Sequence, residues 1–290
     1  MLASIGSPPA CAPEAGQFVA PTAPESGAPW MKLLTDHVLY WRARKAWSQQ
    51  YYNDVFQFIA KRAPDLQQPL RIVEVGTAFG VSALLARLTH GGLANYLLQR
   101  LPRAQLYAVD PFLSGYDPSD RHAHAMAAIA SKLGLNKTEL SVAWASGMAY
   151  DLTARHGSCR YRLFHMRSQD AAPFLGAAFP KASVDVAFID GLHTYEGTKA
   201  DAEAYWPLVA PGGVLIFNDY GGPRSFAGMT FPGVRRAVDE FAASRAKNVS
   251  VGAPGKPPGL SNAFIAKTRR ETAAGPNADS YCDAGLGCHF

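Results

Sequence analysis

The sequence predicts an α/β protein with a Rossmann-like, doubly wound sheet of seven mostly parallel strands. Short runs rich in β-branched residues alternate with longer segments of helical periodicity, a pattern typical of βαβ units. The runs end in polar or glycine residues, which a ligand-binding edge needs and a purely structural sheet does not. Of the 290 residues, 48% are hydrophobic and 18% are charged. This composition predicts a sizeable core and excludes a disordered chain or a disulfide-rich miniprotein.

Five parallel strands and a closing hairpin are expected in chain order. The strands are Arg71–Val75, Gln105–Val109, Tyr161–His165, Val184–Ile189 and Gly213–Phe217. Helical segments follow them at Val81–Leu88, around Met126–Leu133, and at Ala171–Ala178, Tyr195–Val209 and Gly233–Ala246. We interpret Gly91–Arg100 as an insertion that lengthens the first of these helices or its loop. The segments Asn248–Val251 and Asn262–Lys267 are expected to pair as a C-terminal antiparallel hairpin.

A single domain over residues 31–268 is expected to hold these elements. Residues 1–30 are mostly Pro, Ala, Gly and Ser, and we expect them to be disordered because they bury too little surface to offset their ordering entropy. Residues 269–290 are expected to form a flexible tail. Aromatic residues at helical spacing predict a helical cap within 31–69. The length of 112–158 predicts an acceptor-binding or lid insertion.

Charge and cysteine usage limit the partners and the compartment. Lys plus Arg number 28 and Asp plus Glu number 23, a net charge of +5 without a basic stripe, so a nucleic-acid partner is not expected. No apolar run is long enough to span a membrane. The segment before Lys32 lacks the basic region of a secretory signal, and the four cysteines have no paired spacing. We therefore expect a cytoplasmic protein with reduced thiols.

The loop after the first strand contains glycines suited to a ligand without phosphates. Gly76 and Gly80 have G-x-x-x-G spacing, whereas a dinucleotide pyrophosphate needs G-x-G-x-x-G, so an NAD-dependent dehydrogenase is disfavoured. Ser82 follows in the first helical turn, where it either holds a ligand carboxylate or caps the helix. Asp110 ends the second strand. It either accepts ribose hydroxyls or serves as a turn residue before Pro111.

These residues resemble the class I S-adenosylmethionine-dependent methyltransferases, over roughly Leu70 to Lys267. The loop from Glu74 through Gly76 and Thr77 to Gly80, with Ser82, is similar to the first motif of the catechol O-methyltransferases. Ser168-Gln169-Asp170 resembles the Ser-Gln-Asp of that family, in which the serine and the glutamine contact the adenine. The resemblance implies a class I methyltransferase fold and a cofactor site that also includes Asp110 and Asp190.

A second group of polar residues follows the fourth and fifth strands. Asp190, Asn218 and Asp219 offer two carboxylates and an amide oxygen, which suit Mg²⁺. In the catechol O-methyltransferases the corresponding ligands come in the order Asp, Asp, Asn, whereas here the last two are exchanged. The alternative interpretation is that Asp190 caps a helix and that Asn218-Asp219 forms only a turn.

His193 is the candidate general base. The segments Asp190–Glu196 and Pro232–Phe241 resemble the macrocin-type methyltransferases, which act on sugar hydroxyls of natural products and in which a histidine is the expected base. An imidazole accepts a hydroxyl proton readily once a metal ion has lowered the pKa of that hydroxyl. The catalytic residues expected from this resemblance are therefore His193 and Asp190.

The resemblance implies a Mg²⁺-assisted O-methyltransferase that acts on a small-molecule hydroxyl of a phenol, a catechol or a sugar. It is compatible with a homodimer or a higher homo-oligomer. The alternatives are a cephalosporin-hydroxylase-like enzyme and a non-catalytic protein of the same fold.

Four side chains of 112–158 either stack on the acceptor or belong to the core: Tyr116, Trp144, Met148 and Tyr150.

Overall fold

The structure, a computed structural model, describes residues 29, 32–33, 48–62, 69–77, 93–111, 121–221, 231–251 and 262–268. The helices of these segments are α1 Ser48–Arg62, α2 Leu93–Arg100, α3 Arg121–Leu133, α4 Lys137–His156, α5 Ser168–Ala178, α6 Tyr195–Tyr205 and α7 Pro232–Ala243. The strands are β1 Arg71–Val75, β2 Gln105–Val109, β3 Tyr161–Phe164, β4 Val184–Ile189, β5 Val209–Phe217, β6 Ser250–Val251 and β7 Ala263–Ala266. A short 3₁₀ helix, Trp206–Leu208, joins α6 to β5.

The seven strands form one sheet in the order β3-β2-β1-β4-β5-β7-β6. Strands β1 to β5 are parallel, and β7 pairs antiparallel with both β5 and β6. The strand order reverses between β1 and β4, where ligands bind in open sheets of this type. The predicted doubly wound sheet and its C-terminal antiparallel hairpin are confirmed.

Both faces of the sheet are buried, which explains why the strands are mostly apolar rather than alternating between polar and apolar residues. Successive residues of β1 enter different cores, since Ile72 packs with α1, α2, α3 and α4 while Val73 packs with α5, α6 and α7. Each face therefore has its own layer of helices. The polar residues that lie within this framework are confined to the strand ends and a few buried contacts.

The segment interpreted as an insertion is a core helix. All residues from Leu93 to Leu98 of α2 are buried. In the 112–158 segment, Trp144 and Met148 are 1% and 0% exposed and lie in the core with α3 and α4. Of the two alternatives for these side chains, stacking on the acceptor or packing in the core, the structure therefore supports packing in the core. Tyr150 is exposed at the surface of α4, and Tyr116 lies outside the described residues.

The sequence prediction found the strands more accurately than the helices. The bounds of β1, β2 and β4 are as predicted, whereas β5 begins at Val209, earlier than expected. Helix α4 was not predicted, because its periodicity is masked by small buried residues such as Gly147 and Ala149. The predicted helix Val81–Leu88 and the predicted flexible tail 269–290 lie outside the described residues, as does all of the predicted disordered segment 1–30 except residue 29.

Cys159 is disulfide-bonded, so the expectation of reduced thiols is wrong for this residue. No helix among the described residues is both long enough and apolar enough to cross a membrane.

Arg160, just before β3, forms hydrogen bonds with the backbone at the end of α2. Its guanidinium donates to the carbonyls of Leu98 at 2.6 Å, Leu101 at 2.8 Å and Ala104 at 3.2 Å. The last carbonyls of a helix have no partner within the helix, so this arginine satisfies the carbonyl of Leu98, whereas the carbonyl of Leu101 also accepts from the amide of Ala104 at 2.9 Å. It is the counterpart of a C-cap supplied from a different segment of the chain.

Arg160→Ala is expected to lower the free energy of unfolding by at least about 2 kcal/mol, because several hydrogen bonds from a charged donor to half-buried carbonyls are lost together. Urea unfolding followed by circular dichroism measures the effect. The matched control is Arg103→Ala, which removes an exposed arginine near the same helix end. Equal losses in the two variants would show that the carbonyl contacts contribute nothing.

His156 predicts a pH dependence of stability. Its Nε2 lies 2.7 Å from Oδ1 of Asn95, and burial, with Arg160 and Arg155 nearby, lowers its pKa to about 4. An unfolded histidine has a pKa near 6.5. The unfolded chain therefore takes up a proton between these values while the folded chain does not, and the stability contributed above pH 6.5 is lost as the pH falls towards 4.

We expect His156→Gln to reduce this loss. Free energies of unfolding measured at pH 7 and pH 4.5 should fall less in the variant than in the wild type. An identical fall in both proteins would rule out His156 as the source.

Candidate active site at the carboxyl edge of the sheet

Backbone hydrogen bonds continue one residue beyond the central strands and align the site. The four bonds are Gly76 N to Val109 O at 2.9 Å, Asp110 N to Phe164 O at 3.0 Å, Asp190 N to Val75 O at 2.8 Å, and Asn218 N to Ile189 O at 2.9 Å. Neighbouring strands are roughly 4.8 Å apart. The residues after β2, β1, β4 and β5 therefore stand in a row in the order Asp110, Gly76, Asp190, Asn218.

Gly76 lies where the loop after β1 crosses the end of β4. Its φ is +81°, and a Cβ at this position would lie 1.9 Å from the carbonyl oxygen of Asp190. Only glycine fits such a contact, because the obstacle is backbone and cannot rotate away. This glycine therefore brings the loop after β1 against the end of β4 at the point where the strand order reverses. Gly80 and Ser82 lie outside the described residues.

Buried acidic and hydroxyl side chains surround the end of β1. Glu74 and Asp110 are only 3% and 8% exposed, and the Thr77 hydroxyl donates to Oδ2 of Asp110 at 3.5 Å. Burial raises the pKa of the neighbouring Tyr161, and Glu74 and Asp110 raise it further. A carboxylate is costly to bury unless hydrogen-bond donors face it. Hydroxyl groups of a ribose are donors of the kind that this pair of carboxylates fits.

Ser168 and Gln169, the predicted adenine contacts, are held by a third residue that the sequence did not reveal. The Ser168 hydroxyl donates to Oδ1 of Asp201 at 2.5 Å, and Nε2 of Gln169 donates to the same oxygen at 2.8 Å. Asp201 lies in α6 and is 1% exposed. Burial raises its pKa to about 6, and the bond from Ser168 opposes that shift. The available signal was an aspartate in helical register with Thr198, Ala202 and Tyr205 on a buried helix face.

The predicted chemical residues after β4 and β5 lie together. Nε2 of His193 is 3.5 Å from Oδ1 of Asp190 and 3.3 Å from Oδ2 of Asp219. Nδ2 of Asn218 donates to Oδ1 of Asp190 at 2.5 Å. Asp219 has a φ of +54°, a left-handed conformation that aspartate tolerates better than most residues. The chain turns sharply there, which places the second carboxylate close to His193.

The carboxylates of Asp190 and Asp219 and the imidazole of His193 interact electrostatically. Burial raises the pKa of Asp190, the contacts with His193 and Asn218 oppose that shift, and the charge of Asp219 adds to it. Two carboxylates this close repel one another, so a cation between them is favourable. A protonated imidazole or a metal ion meets that need.

The donor set fits a divalent metal ion. Among the described residues, the oxygens of Asp190 and Asp219 and a nitrogen of His193 lie within 4.8 Å of one another. The side-chain oxygen of Asn218 is buried and has no hydrogen-bond partner among these residues. Two carboxylates and an unsatisfied amide oxygen are hard ligands of the type that Mg²⁺ prefers. The structure thus brings together the three predicted ligands and adds a nitrogen that the sequence interpretation reserved for proton transfer.

Phe231 is a further residue of the site that the sequence did not single out. Its ring stacks on the imidazole of His193 with centroids 4.4 Å apart and planes inclined by 28°. It precedes α7 directly. The stack covers one face of the imidazole and limits its rotation.

Comparison with known proteins identifies the family. A sequence model described as a methyltransferase domain matches residues 73–220, which is just over half of the chain and includes all of the described strand-end residues above. No curated protein matches the sequence significantly.

Solved structures with similar folds are distant in sequence. CalS11, a TDP-rhamnose 3'-O-methyltransferase of calicheamicin biosynthesis, is 19% identical, with 82% of this chain and 91% of that chain covered at a TM-score of 0.44. The 1,6-didemethyltoxoflavin-N1-methyltransferase of Burkholderia thailandensis is 16% identical, with 88% and 97% covered and a TM-score of 0.39. A methyltransferase of Aquifex aeolicus is 13% identical, with 82% and 98% covered and a TM-score of 0.39.

These TM-scores are low, so the assignment rests on the family match and on the observed strand order. Both are independent of the distant structures, and the matched residues 73–220 include the carboxyl ends of β1, β4 and β5. The chain therefore belongs to this methyltransferase family, as an S-adenosylmethionine-dependent enzyme of the class I fold.

Proposed function

We propose that the protein is an O-methyltransferase that uses a divalent cation and acts on a hydroxyl group of a small molecule. The observation that carries the proposal is the cluster of His193, Asp190 and Asp219 at the switch point of the sheet. A hydroxyl oxygen must lose a proton to become a good nucleophile. This cluster offers a proton acceptor and two negative charges beside it.

His193 is the proposed general base. When its imidazole accepts the hydroxyl proton it becomes a cation, and the carboxylates at 3.5 Å and 3.3 Å stabilise that charge. Phe231 holds the ring in place. In the methyl transfer, the hydroxyl proton moves to His193 as a carbon–oxygen bond forms and the carbon–sulfur bond breaks.

Asp190, Asn218 and Asp219 are the proposed metal ligands. A Mg²⁺ ion held by them would supply a positive charge that orients the acceptor and lowers the pKa of its hydroxyl. The contact of Asn218 with Asp190 keeps two of these side chains together. Their preorganisation reduces the reorganisation needed when a cation binds.

The proposed cofactor site extends from the same edge across the loops after β1, β2 and β3. Bound S-adenosylmethionine supplies an electrophilic methyl group on its sulfonium. The residues proposed to hold it are Glu74, Gly76, Thr77, Gly80, Ser82, Asp110, Ser168, Gln169 and Asp190. Within the described part of this set, the buried carboxylates of Glu74, near the end of β1, and of Asp110, after β2, fit the ribose, and Gln169 and Ser168 fit a nitrogen-rich base.

A hydroxylase-like reaction is the outcome that would overturn this proposal, and it is worth testing because one imidazole nitrogen lies beside the two carboxylates. Imidazole and carboxylate ligands together also suit redox-active iron. The two reactions differ in their requirements. An oxygenase needs O₂ and a redox-active metal, whereas methyl transfer needs S-adenosylmethionine and neither of those.

The proposal is tested by binding and by turnover together. Calorimetry with S-adenosylhomocysteine is expected to show binding with and without Mg²⁺. Mass spectrometry of a panel of phenols, catechols and sugar derivatives is expected to show a gain of one methyl group, abolished by EDTA and restored by Mg²⁺. A gain of one oxygen atom that requires iron and O₂ would support the hydroxylase instead.

The metal ligands have their own prediction. Asp219→Asn is expected to weaken Mg²⁺ activation by about 10-fold or more, because a charged ligand is replaced by a neutral one. The control is Glu203→Gln, which neutralises an exposed carboxylate in α6 that pairs with Arg245. Both variants should bind S-adenosylhomocysteine. An unchanged Mg²⁺ dependence in Asp219→Asn would contradict the assignment.

A further inference from the structure

Asp201 is a buried carboxylate that the proposed chemistry does not use. Its side chain is 1% exposed, and one of its oxygens accepts two hydrogen bonds, from the Ser168 hydroxyl at 2.5 Å and from the Gln169 amide nitrogen at 2.8 Å. Both donors stand at the carboxyl end of β3. Asp201 itself belongs to α6, which follows β4. The contact therefore joins the start of α5 to α6, two helices that follow strands separated in the sheet by β2 and β1.

The buried face of α6 makes further contacts with the same two loops. The Tyr205 hydroxyl donates to the carbonyl of Ser168 at 3.0 Å. On the other side, a Cβ on Gly191 would lie 3.0 Å from the second carboxylate oxygen of Asp201. Gly191 directly follows Asp190. One helix face thus holds the start of α5 against the loop that carries the chemical residues.

The bond to Asp201 fixes the polarity of the Gln169 amide. A carboxylate accepts hydrogen bonds and donates none, so it orients the amide nitrogen of Gln169 towards itself. The amide oxygen then lies on the other branch of the group. A ligand that approaches that branch meets an acceptor, and it binds best if it offers an N–H.

We propose that Asp201 is a positioning residue that sets Gln169 to accept a hydrogen bond from the exocyclic amino group of the cofactor's adenine. The inference rests on the proposed cofactor site. It assigns the preference for an aminopurine over an oxopurine to a residue that has no contact with the base. The oxopurine carries a carbonyl at that position, and two acceptors facing one another leave both without a partner.

Burial alone does not explain an aspartate at this position. An apolar side chain of similar size would fill the same space without the cost of removing a carboxylate from water. That cost is visible in the pKa of Asp201, which burial raises to about 6. The two bonds from Ser168 and Gln169 are what the carboxylate adds over an apolar residue.

The experiment compares the binding of S-adenosylhomocysteine with that of S-inosylhomocysteine, by calorimetry on the full chain. The wild type is expected to bind the adenosyl compound about 10-fold or more tightly than the inosyl compound. This difference corresponds to one hydrogen bond gained and one unfavourable contact between two acceptor oxygens avoided. Asp201→Ala is expected to reduce the preference by about 10-fold. Asp201→Leu, which fills the space, serves if the alanine variant does not fold. Asp201→Asn retains an acceptor oxygen and should keep most of the preference.

Tyr205→Phe is the matched control, since it removes a buried hydrogen bond to Ser168 but leaves both bonds to Asp201. It is expected to lower the unfolding temperature and to leave the preference unchanged. A preference that persists in Asp201→Ala and Asp201→Leu, or one that falls equally in Tyr205→Phe, would overturn the role of Asp201. No binding of either compound to the wild type would instead overturn the proposed cofactor site, so the two failures are distinguishable.

Discussion

Replacing His193 by alanine is expected to lower kcat for methyl transfer by about 10²–10⁴-fold, the usual contribution of a positioned general base. The variant loses the proton acceptor that lies between Asp190 and Asp219. Binding of S-adenosylhomocysteine should change little, because the residues proposed to hold the cofactor's nucleoside are on other loops. Turnover is measured at saturating acceptor and cofactor, and binding of S-adenosylhomocysteine is measured in parallel by calorimetry.

Two further variants separate basicity from shape. His193→Gln retains a polar side chain of similar length without a basic nitrogen, so it should be almost as inactive as the alanine variant. Phe231→Ala keeps the base but removes the ring that stacks on it at 4.4 Å, so it should lose activity to a smaller extent. If His193→Gln retained near wild-type turnover, the imidazole would not be the base and the carboxylates would have to accept the proton.

The sheet could be predicted because the apolar residues within each strand are enough to indicate that the strand is buried. The runs of β1, β2 and β4 are mostly apolar, with Glu74, Gln105 and Asp185 as polar exceptions, as expected for strands covered on both faces, and their bounds were predicted as observed. The burial of helix α2 is less evident from its sequence. Its buried residues include Asn95 and Tyr96, whose polar atoms reduce the apolar pattern although they bond to His156 and Asn53.

The site was predictable where it depends on the ends of parallel strands, since topology alone brings those ends together. Asp190, Asn218 and Asp219 were placed in this way, and they lie together with His193. Asp201 and Phe231 were not predictable by this reasoning. Each reaches the site from a helix or its start, and contacts between a helix and a loop depend on packing distances that a single sequence does not state.

Gly76, one of the two predicted cofactor glycines, has no room for a side chain. Gly76→Ala is expected to lower the free energy of unfolding by roughly 2–5 kcal/mol. About 1–2 kcal/mol of this comes from a positive φ in a residue with a Cβ, and about 1–3 kcal/mol from overpacking against a rigid neighbour. The neighbour is the carbonyl oxygen of Asp190, 1.9 Å from the added carbon. Because that carbonyl cannot rotate away, the loop after β1 must move from the end of β4.

The same displacement should weaken S-adenosylhomocysteine binding by about 10-fold or more, since affinity changes tenfold for each 1.4 kcal/mol. Gly134→Ala is the matched control, because Gly134 has a φ of +64° but a Cβ there meets nothing within 4 Å. It carries the backbone strain without the clash and should cost only about 1–2 kcal/mol, with unchanged binding. Urea unfolding and calorimetry on both variants separate the two causes. Equal losses of stability would mean that the close approach of β1 and β4 contributes nothing, whereas a larger loss in Gly76→Ala accompanied by weaker binding would tie the geometry of the switch point directly to cofactor affinity.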